Sequence, residues 1–262
     1  MSAVVLAPPA AVAIYLGFPW FDLMVAALAL LVAIEWAALI GIKRRRELSA
    51  LVGATAVAGV LAVAAGRPGL APAIAVAGAA AALIVARHAW PGKGAWAALG
   101  VLSVVLSAAA FVWLRGDPAA GRATVLWLVC VVWAADIGAY VAGRAIGGPR
   151  LAPTISPGKT WAGLAGAVVL AVVVGAVAGF IYAPDRLRFI MIMGLMSAAL
   201  ALIAEAGDLA ESKLKRHFGV KDSGTLIPGH GGALDRLDGM LPSAPAIALL
   251  HMISGGSPFQ WL

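Results

Sequence analysis

Apolar runs of roughly 20 residues recur along this sequence, and they limit its possible folds more than any other feature. A helix of that length crosses about 30 Å of hydrocarbon, because each residue adds about 1.5 Å. Charged residues make up 12% of the sequence, against about a quarter in an ordinary soluble domain. The alternating segments of about ten residues that a membrane β-barrel needs are absent from the sequence. The sequence therefore predicts an all-α, polytopic integral membrane protein.

About nine transmembrane helices are predicted, at approximately 3–18, 20–42, 48–66, 70–87, 95–114, 123–143, 161–183, 188–206 and 240–257. The first is the weakest, because it is short and contains Pro8 and Pro9. If it is re-entrant, eight spans are left. No linker or internal repeat divides the sequence, so we expect residues 1–262 to form a single membrane-embedded catalytic domain.

The basic residues are distributed unevenly between alternate loops. One set of loops carries 14 of the 19 Lys and Arg residues and the other carries five. The richer set contains Lys43, Arg44, Arg45, Arg46, Arg87, Lys93, Arg144, Arg150, Lys159, Lys213, Lys215, Arg216, Lys221 and Arg236. Because basic residues near membrane ends favour the cytoplasm, we expect this side to face the cytoplasm of a bacterial-type inner (plasma) membrane. The run at 43–46 is interpreted as a topology determinant that also touches anionic lipid, and no nucleic-acid partner is expected.

Residues 207–240, here called the signature segment, hold most of the polar chemistry. Five of the 12 acidic residues and five of the 19 basic residues fall within it. Taken as a helix, its first part places the Asp208 and Glu211 carboxylates on the same face as Lys215. That arrangement alone is equally typical of a solvated helix face with ion pairs. Asp208 and Asp235 come at opposite ends of the polar loop and are expected to lie at the membrane boundary as partners in one site.

The types of residue in the signature segment favour a metal–polyphosphate complex. Carboxylates can hold a metal ion while Lys and Arg neutralise phosphate oxygens. Few histidines are present, and Cys130, the only cysteine, lies in an apolar run, so the available oxygen ligands favour Mg²⁺ over Zn²⁺. Gly229, Gly231 and Gly232 allow a positive φ and a close approach of backbone amides to an anion.

A second polar cluster lies at 144–160 and ends in PTISPGKT. A P-loop is not predicted there, because Pro153 takes the place of its first glycine and no preceding strand is expected. Ser156 and Lys159 are still expected to contact phosphate at a helix N-terminus.

Four acidic residues fall inside predicted membrane spans, namely Asp22, Glu35, Asp136 and Glu205, and two of them are given a specific interpretation. Asp136 is a functional candidate, because an intramembrane carboxylate is costly. Glu35 is expected to make structural hydrogen bonds instead, since no other polar residue lies near it in the sequence.

The polar motifs together resemble those of the phosphatidate cytidylyltransferase (CDP-diglyceride synthase) family, whose signature is approximately S-x-x-K-R-x4-K-D-x-G-x3-P-x-H-G-G-x-x-D-R-x-D. The matching residues are Ser212, Lys215, Arg216, Lys221, Asp222, Gly224, Pro228, His230, Gly231, Gly232, Asp235, Arg236 and Asp238. Two further motifs also match: W-x-x-D-x-x-A-Y at 133–140, and S-P-x-K-T-W at 156–161, here called the lysine box. Ala162 and Ala233 depart from the family pattern; the first is given no role and the second is expected to affect packing only.

The resemblance implies that CTP and phosphatidate react to give CDP-diacylglycerol and pyrophosphate. It implies Mg²⁺ and a second, monovalent cation such as K⁺. The catalytic residues would be Asp208, Lys221, Asp222, Asp235, Arg236 and Asp238. Asp208 and Asp235 are the first choice as metal ligands, followed by Asp222 and Asp238. The substrate-binding residues would be Ser212, Lys215, Arg216, His230 and Gly231 for CTP, Ser156 and Lys159 for phosphatidate, and Asp136 as the lining of a polar cavity.

Two other functions stay open from the sequence. A CTP-dependent kinase of a polyprenol-type lipid alcohol would release CDP instead of pyrophosphate. A transporter of an anionic phosphate compound would move its substrate without nucleotide turnover, but it leaves the signature segment unexplained. The oligomeric state is also open, with a homodimer among the alternatives.

Overall fold

The computed structural model describes residues 2–42, 44–224 and 231–261, and within these ranges the protein is almost wholly helical. The helices are α1 (Ser2–Leu16), α2 (Trp20–Leu39), α3 (Arg45–Ala64), α4 (Leu70–Ala86), α5 (Gly94–Arg115), α6 (Gly121–Ala145), α7 (Trp161–Tyr182), α8 (Leu187–His217), α9 (Leu234–Leu237) and α10 (Met240–Ser254). A short hairpin, β1 (Arg150–Ala152) and β2 (Ser156–Thr160), precedes α7, and a 3₁₀ turn at Pro258–Gln260 follows α10.

Six helices of the described chain are long and apolar enough to cross a membrane, namely α2, α3, α5, α6, α7 and α8. Helix α4 and residues Ala7–Leu16 of α1 are apolar but shorter, and α10 has 15 residues. Each of the nine predicted segments coincides with one of these helices. The prediction of a helical, multi-pass membrane protein is therefore confirmed, whereas the number of spans stays a prediction.

Helix α8 is much longer than the span predicted for it. It continues without a break from Leu187 through the polar residues to His217. Its 31 residues measure about 46 Å, well beyond the hydrocarbon thickness of about 30 Å. The predicted helix at 208–216 is thus the end of this long helix, which carries the first carboxylates of the signature segment.

The hairpin before α7 corrects the expectation that no strand precedes PTISPGKT. Strands β1 and β2 pair antiparallel, with Arg150 opposite Thr160, and the Trp161 N–H donates to the Pro149 carbonyl at 3.1 Å. Residues 153–155 form the hairpin turn, and β2 leads directly into α7. This differs from a P-loop, in which the glycine-rich loop lies between a strand and the following helix.

The chain forms two compact units, residues 1–117 with 215–237 and residues 118–214 with 238–262. In the first unit, helices α2 to α5 pack together, and the Trp36 indole N–H on α2 donates to the Trp96 carbonyl on α5 at 3.0 Å. The single catalytic domain stays a prediction.

The main packing contact of the second unit is a close approach of α6 and α7. A Cβ atom on Gly138 would collide with the Gly166 carbonyl, and one on Gly166 would collide with the Ala142 methyl group. Small residues at a helix interface let backbones approach in this way in lipid, where the hydrophobic effect does not drive helices together. The glycines therefore determine the spacing of these two helices.

Replacing Gly166 with alanine should destabilise the protein, because the added methyl group forces α6 and α7 apart. Overpacking of this kind costs about 1–3 kcal/mol. Thermal unfolding of the detergent-purified protein should show a lower midpoint for Gly166→Ala. Gly69→Ala is the matched control, since a Cβ there meets no atom within 4 Å. Equal midpoints for the two variants would contradict the packing role.

Candidate functional site

Several of the residues predicted to carry function lie, together with other polar residues, in two clusters, one in each unit. The cluster of the second unit contains Asp136, Lys159, Glu205, Asp208, Glu211, Ser212 and Asp238. The cluster of the first unit contains Glu35, Lys215, Ser223, Gly231, Gly232 and Asp235. Each cluster is described separately below.

The carboxylates of the second unit are brought together at the end of α8. Asp208 and Glu211 lie three residues apart on this helix, so their side chains are neighbours. A Cβ atom on Gly207 would lie 2.6 Å from the Asp238 carbonyl oxygen, so the chain just before α10 runs directly over this glycine. The glycine thereby brings Asp238 beside the two carboxylates of α8.

Lys159 connects the lysine box to the signature segment. Its ammonium lies 2.6 Å from a Glu205 carboxylate oxygen and 2.7 Å from one of Asp208. The side chain is only 18% exposed. Burial by itself would lower the pKa of Lys159, but the Asp208 and Glu205 carboxylates outweigh it and raise the pKa. Lys159 therefore stays a cation, and it is fixed in place by two acids.

Thr160, the residue after Lys159, caps the N-terminus of α7. The Thr160 hydroxyl accepts a hydrogen bond from the Gly163 N–H at 3.0 Å and caps the N-terminus of α7. The cap holds the end of β2 against the start of the helix. It thus helps to fix the backbone next to Lys159.

Asp208, Glu211 and Asp238 form a group here called the acidic cluster. One carboxylate oxygen from each lies within 4.8 Å of the others. Glu211 is only 6% exposed. Burial raises the pKa of Asp238 to about 8, with repulsion from Asp208, Glu211 and Asp136 adding to the effect and the Gly239 N–H opposing it. Ionisation of Asp238 is therefore opposed first by burial and then by the carboxylates of Asp208, Glu211 and Asp136.

A divalent cation fits the acidic cluster. Carboxylate oxygens are the preferred ligands of hard cations, and one oxygen from each of the three carboxylates lies within 4.8 Å of the others, so all three could hold one cation. A bound cation would relieve the mutual repulsion of the three carboxylates. Two of the predicted metal ligands, Asp208 and Asp238, are thus brought together. Sequence reasoning gave Glu211 no metal role, although its spacing of three residues from Asp208 was a usable signal.

Asp235, in the first unit, has a different environment. Its carboxylate accepts hydrogen bonds from Lys215 Nζ at 2.8 Å, from Gly232 N–H at 2.8 Å and from Ser223 N–H at 3.1 and 3.2 Å. Burial alone would raise the pKa of Asp235, but Lys215 and the two amides lower it to about 2. The carboxylate is therefore ionised and held by Lys215 and these amides. Its predicted role as a metal ligand stays a prediction.

The remaining predicted residues are placed as follows. The Ser212 hydroxyl donates to Asp208 Oδ1 at 3.2 Å, and Gly231 has a φ of 80°, as its predicted conformational freedom requires. Arg216, Lys221, Asp222 and Arg236 are exposed, and Ser156 is half-buried in β2. Four residues named from the sequence lie outside the described residues: Lys43 in the basic run, and Pro228, Gly229 and His230 in the signature segment.

Comparison with known proteins decides the family. The model of the family described as "Cytidylyltransferase family" matches residues 1–254. The chain belongs to the cytidylyltransferase family. Its relatives include a protein named phosphatidate cytidylyltransferase from Brucella suis, 44% identical over 165 residues, which are 63% of this chain and 60% of that protein. Proteins of the same name from Haemophilus influenzae and Pseudomonas aeruginosa are 42% and 36% identical, over 52% and 64% of this chain and 48% and 62% of their own lengths. The matched region thus spans three fifths or less of the Brucella and Haemophilus proteins.

A divalent cation should bind at the acidic cluster. Mn²⁺ can be titrated into the purified protein and its binding followed by electron paramagnetic resonance. We expect Glu211→Gln to weaken Mn²⁺ binding by about tenfold or more, because losing a direct ligand should cost at least as much affinity as losing a residue that only supports a ligand. Asp222→Asn is the comparison variant, since Asp222 is exposed and outside the cluster. If Asp222→Asn weakens Mn²⁺ binding and Glu211→Gln does not, the site lies elsewhere.

Proposed function

We propose that this protein transfers the cytidylyl group of CTP to phosphatidate, giving CDP-diacylglycerol and pyrophosphate. The observation that carries the proposal is the pair of contacts from Lys159 to Asp208 and Glu205, which joins the lysine box to the signature segment beside the acidic cluster. Membership of the cytidylyltransferase family and the names of the relatives support the same reaction.

In the proposed reaction, a phosphate oxygen of phosphatidate attacks the α-phosphorus of CTP. The bond from this phosphorus to the oxygen that bridges to the β-phosphate breaks, and pyrophosphate leaves with the bonding electrons. The attacking phosphate is ionised at neutral pH, so the step does not require a strong general base. The main difficulty is to bring two anions together, and positioning and charge neutralisation should supply most of the rate enhancement.

The cationic and polar groups would divide between the two substrates. Lys215, Arg216, Lys221 and Arg236 would neutralise the CTP phosphates, together with Ser212, His230 and Gly231. Lys159 would meet the phosphatidate head group with Ser156, and Asp136 would line the polar cavity. The contacts of Lys159 and Lys215 with carboxylates support these roles, because a cation held by an acid is already oriented when an anionic substrate arrives.

Mg²⁺ is the divalent cation proposed for the acidic cluster, held by Asp208, Glu211 and Asp238. When bound, it would neutralise phosphate oxygens and favour departure of pyrophosphate. Asp235 and Asp222 stay the alternative ligands from the sequence. The monovalent cation such as K⁺ and the homodimer also stay predictions.

The proposed setting is a bacterial inner membrane crossed by nine helices, with the active site facing the cytoplasm. The excess of basic residues in alternate loops supports this orientation. A cytoplasmic site would also be open to CTP.

Purified protein supplied with CTP, Mg²⁺ and phosphatidate should produce CDP-diacylglycerol and pyrophosphate in equal amounts. We expect Asp208→Asn to lower kcat/KM by about 100-fold or more, since it removes a charge that contacts Lys159 and belongs to the acidic cluster. Asp185→Asn is the control, because Asp185 is an exposed acid in the loop before α8. Radiolabelled CTP and thin-layer chromatography of the lipid products measure both variants.

The same experiment separates the alternatives. Release of CDP with phosphorylation of a lipid alcohol would indicate a kinase instead. Flux of a phosphate compound into sealed vesicles without nucleotide turnover would indicate a transporter. Wild-type activity in Asp208→Asn would contradict the site assignment while leaving the reaction intact.

The orientation has its own test by cysteine labelling. In a Cys130→Ser background, we expect a membrane-impermeant maleimide to label Glu47→Cys in inside-out vesicles and Asp185→Cys in intact cells. Both positions are exposed, and five proposed spans separate them, so they should lie on opposite sides. Labelling of both from the same side would show that the proposed number of spans is wrong.

A further inference from the structure

Glu35 is a buried acid of the apolar helix α2, and the proposed reaction gives it no role. Only 2% of its surface is exposed. One carboxylate oxygen accepts a hydrogen bond from the Ala233 N–H at 2.9 Å, and the other accepts from the Leu234 N–H at 2.7 Å and from the Ser223 hydroxyl at 3.4 Å. The expected structural hydrogen bonding is confirmed, and its partners all belong to the signature segment.

Two glycines of the signature segment make room for this carboxylate. A Cβ atom on Gly224 would lie 2.6 Å from Glu35 Oε1, and one on Gly232 would collide with Glu35 Oε2. Neither glycine has a positive φ, so backbone conformation does not explain the absence of a side chain. The close approach of Glu35 does explain it. These glycine positions are therefore shaped around an acid far away in the sequence.

Glu35 and Asp235 hold the same two stretches of backbone. Ser223 donates its hydroxyl to Glu35 and its N–H to Asp235. Gly232 donates its N–H to Asp235, and the next two amides donate to Glu35. The stretches at 223–224 and 232–234 are thus fastened by two carboxylates, and Asp235 in turn binds Lys215 at 2.8 Å. Loss of Glu35 would release one of the two attachments that position Asp235 and Lys215.

We infer that Glu35 is a positioning residue for nucleotide binding, acting through the backbone that carries Asp235 and Arg236 and orients Lys215. This inference rests on the proposed function, in which Lys215 and Arg236 neutralise the CTP phosphates. Glutamine has nearly the same shape as glutamate but offers one acceptor oxygen where the carboxylate offers two. Its amide group would face a backbone N–H, and at least one buried donor would lose its partner.

The test compares Glu35→Gln with Glu35→Asp and with Glu47→Gln in the full-length purified protein. Glu47 is an exposed acid on α3, paired with Arg44, and provides the same chemical change away from the signature segment. We expect Glu35→Gln to lower kcat/KM for CTP by about 10- to 100-fold, the usual effect of losing a supporting residue around a functional group, with KM for phosphatidate nearly unchanged. Glu35→Asp, which keeps both acceptors, should recover part of the activity.

Hydrogen exchange supplies a readout that does not depend on activity. In Glu35→Gln, peptides covering 231–238 should exchange faster than in the wild type, while peptides of α5 keep their protection. If the glutamine variant does not fold, Gly224→Ala replaces it, because the added methyl group displaces the carboxylate with Glu35 still present. Gly224→Ala should also lower kcat/KM for CTP and leave KM for phosphatidate nearly unchanged.

The outcomes are distinct. Unchanged kcat/KM for CTP in Glu35→Gln would overturn the inference. An equal loss of kcat/KM for CTP and for phosphatidate, together with a lower midpoint of thermal unfolding, would also overturn the inference, since that pattern indicates general destabilisation. If the wild type makes no CDP-diacylglycerol, the proposed function fails, and exchange at 231–238 then decides separately whether Glu35 holds the segment. Unchanged exchange there would overturn the inference as well.

Discussion

A charge that leaves water must be compensated, and this constraint organises the polar part of the protein. In an apolar helical chain, each buried ion needs specific partners, because the free energy of desolvation is several kcal/mol per charge. Lys159 has two carboxylates, Asp235 has an ammonium and two backbone amides, and Glu35 has two amides and a hydroxyl. The partners of Lys159 and Glu35 come from distant parts of the sequence. Compensation of charge therefore joins segments that apolar packing alone would leave independent.

Among the described residues, the acidic cluster brings several carboxylates close together. Asp208 contacts Lys159, but Glu211 and Asp238 add two more carboxylates within a few ångströms. Burial, followed by repulsion from Asp208 and Glu211, raises the pKa of Asp238. By contrast, the Asp235 carboxylate accepts hydrogen bonds from the Lys215 ammonium and from two backbone amides, and its pKa is low. Asp238 and Asp235 lie only three positions apart, yet they differ in electrostatic character. Asp238 is suited to binding a cation, and Asp235 is suited to holding the backbone in place.

Much of the fold follows from the sequence, because the length of an apolar run is a direct measure of a membrane helix. The spacing of Asp208, Glu211 and Lys215 also predicted a helix correctly. The hairpin before α7 was missed, since its strands have three and five residues, contain proline and glycine, and depend on pairing. Sequence spacing also gave no indication that Glu35 meets Ala233, 198 residues away, or that Glu205 binds Lys159. Such contacts depend on how helices pack, and periodicity along one helix does not contain that information.

Helix α8 is unbroken, and its length connects the position of its carboxylates with the thickness of the surrounding bilayer. One stiff helix contains both the apolar residues that meet acyl chains and the carboxylates beyond them. A helix adapts to a thinner or thicker bilayer largely by changing its tilt. Any such change moves Asp208 and Glu211 relative to the head groups, in the same direction as the apolar part moves. With α8 crossing the bilayer as proposed, the thickness of the membrane would set the depth at which these carboxylates lie, and lipid composition and carboxylate position would be mechanically linked.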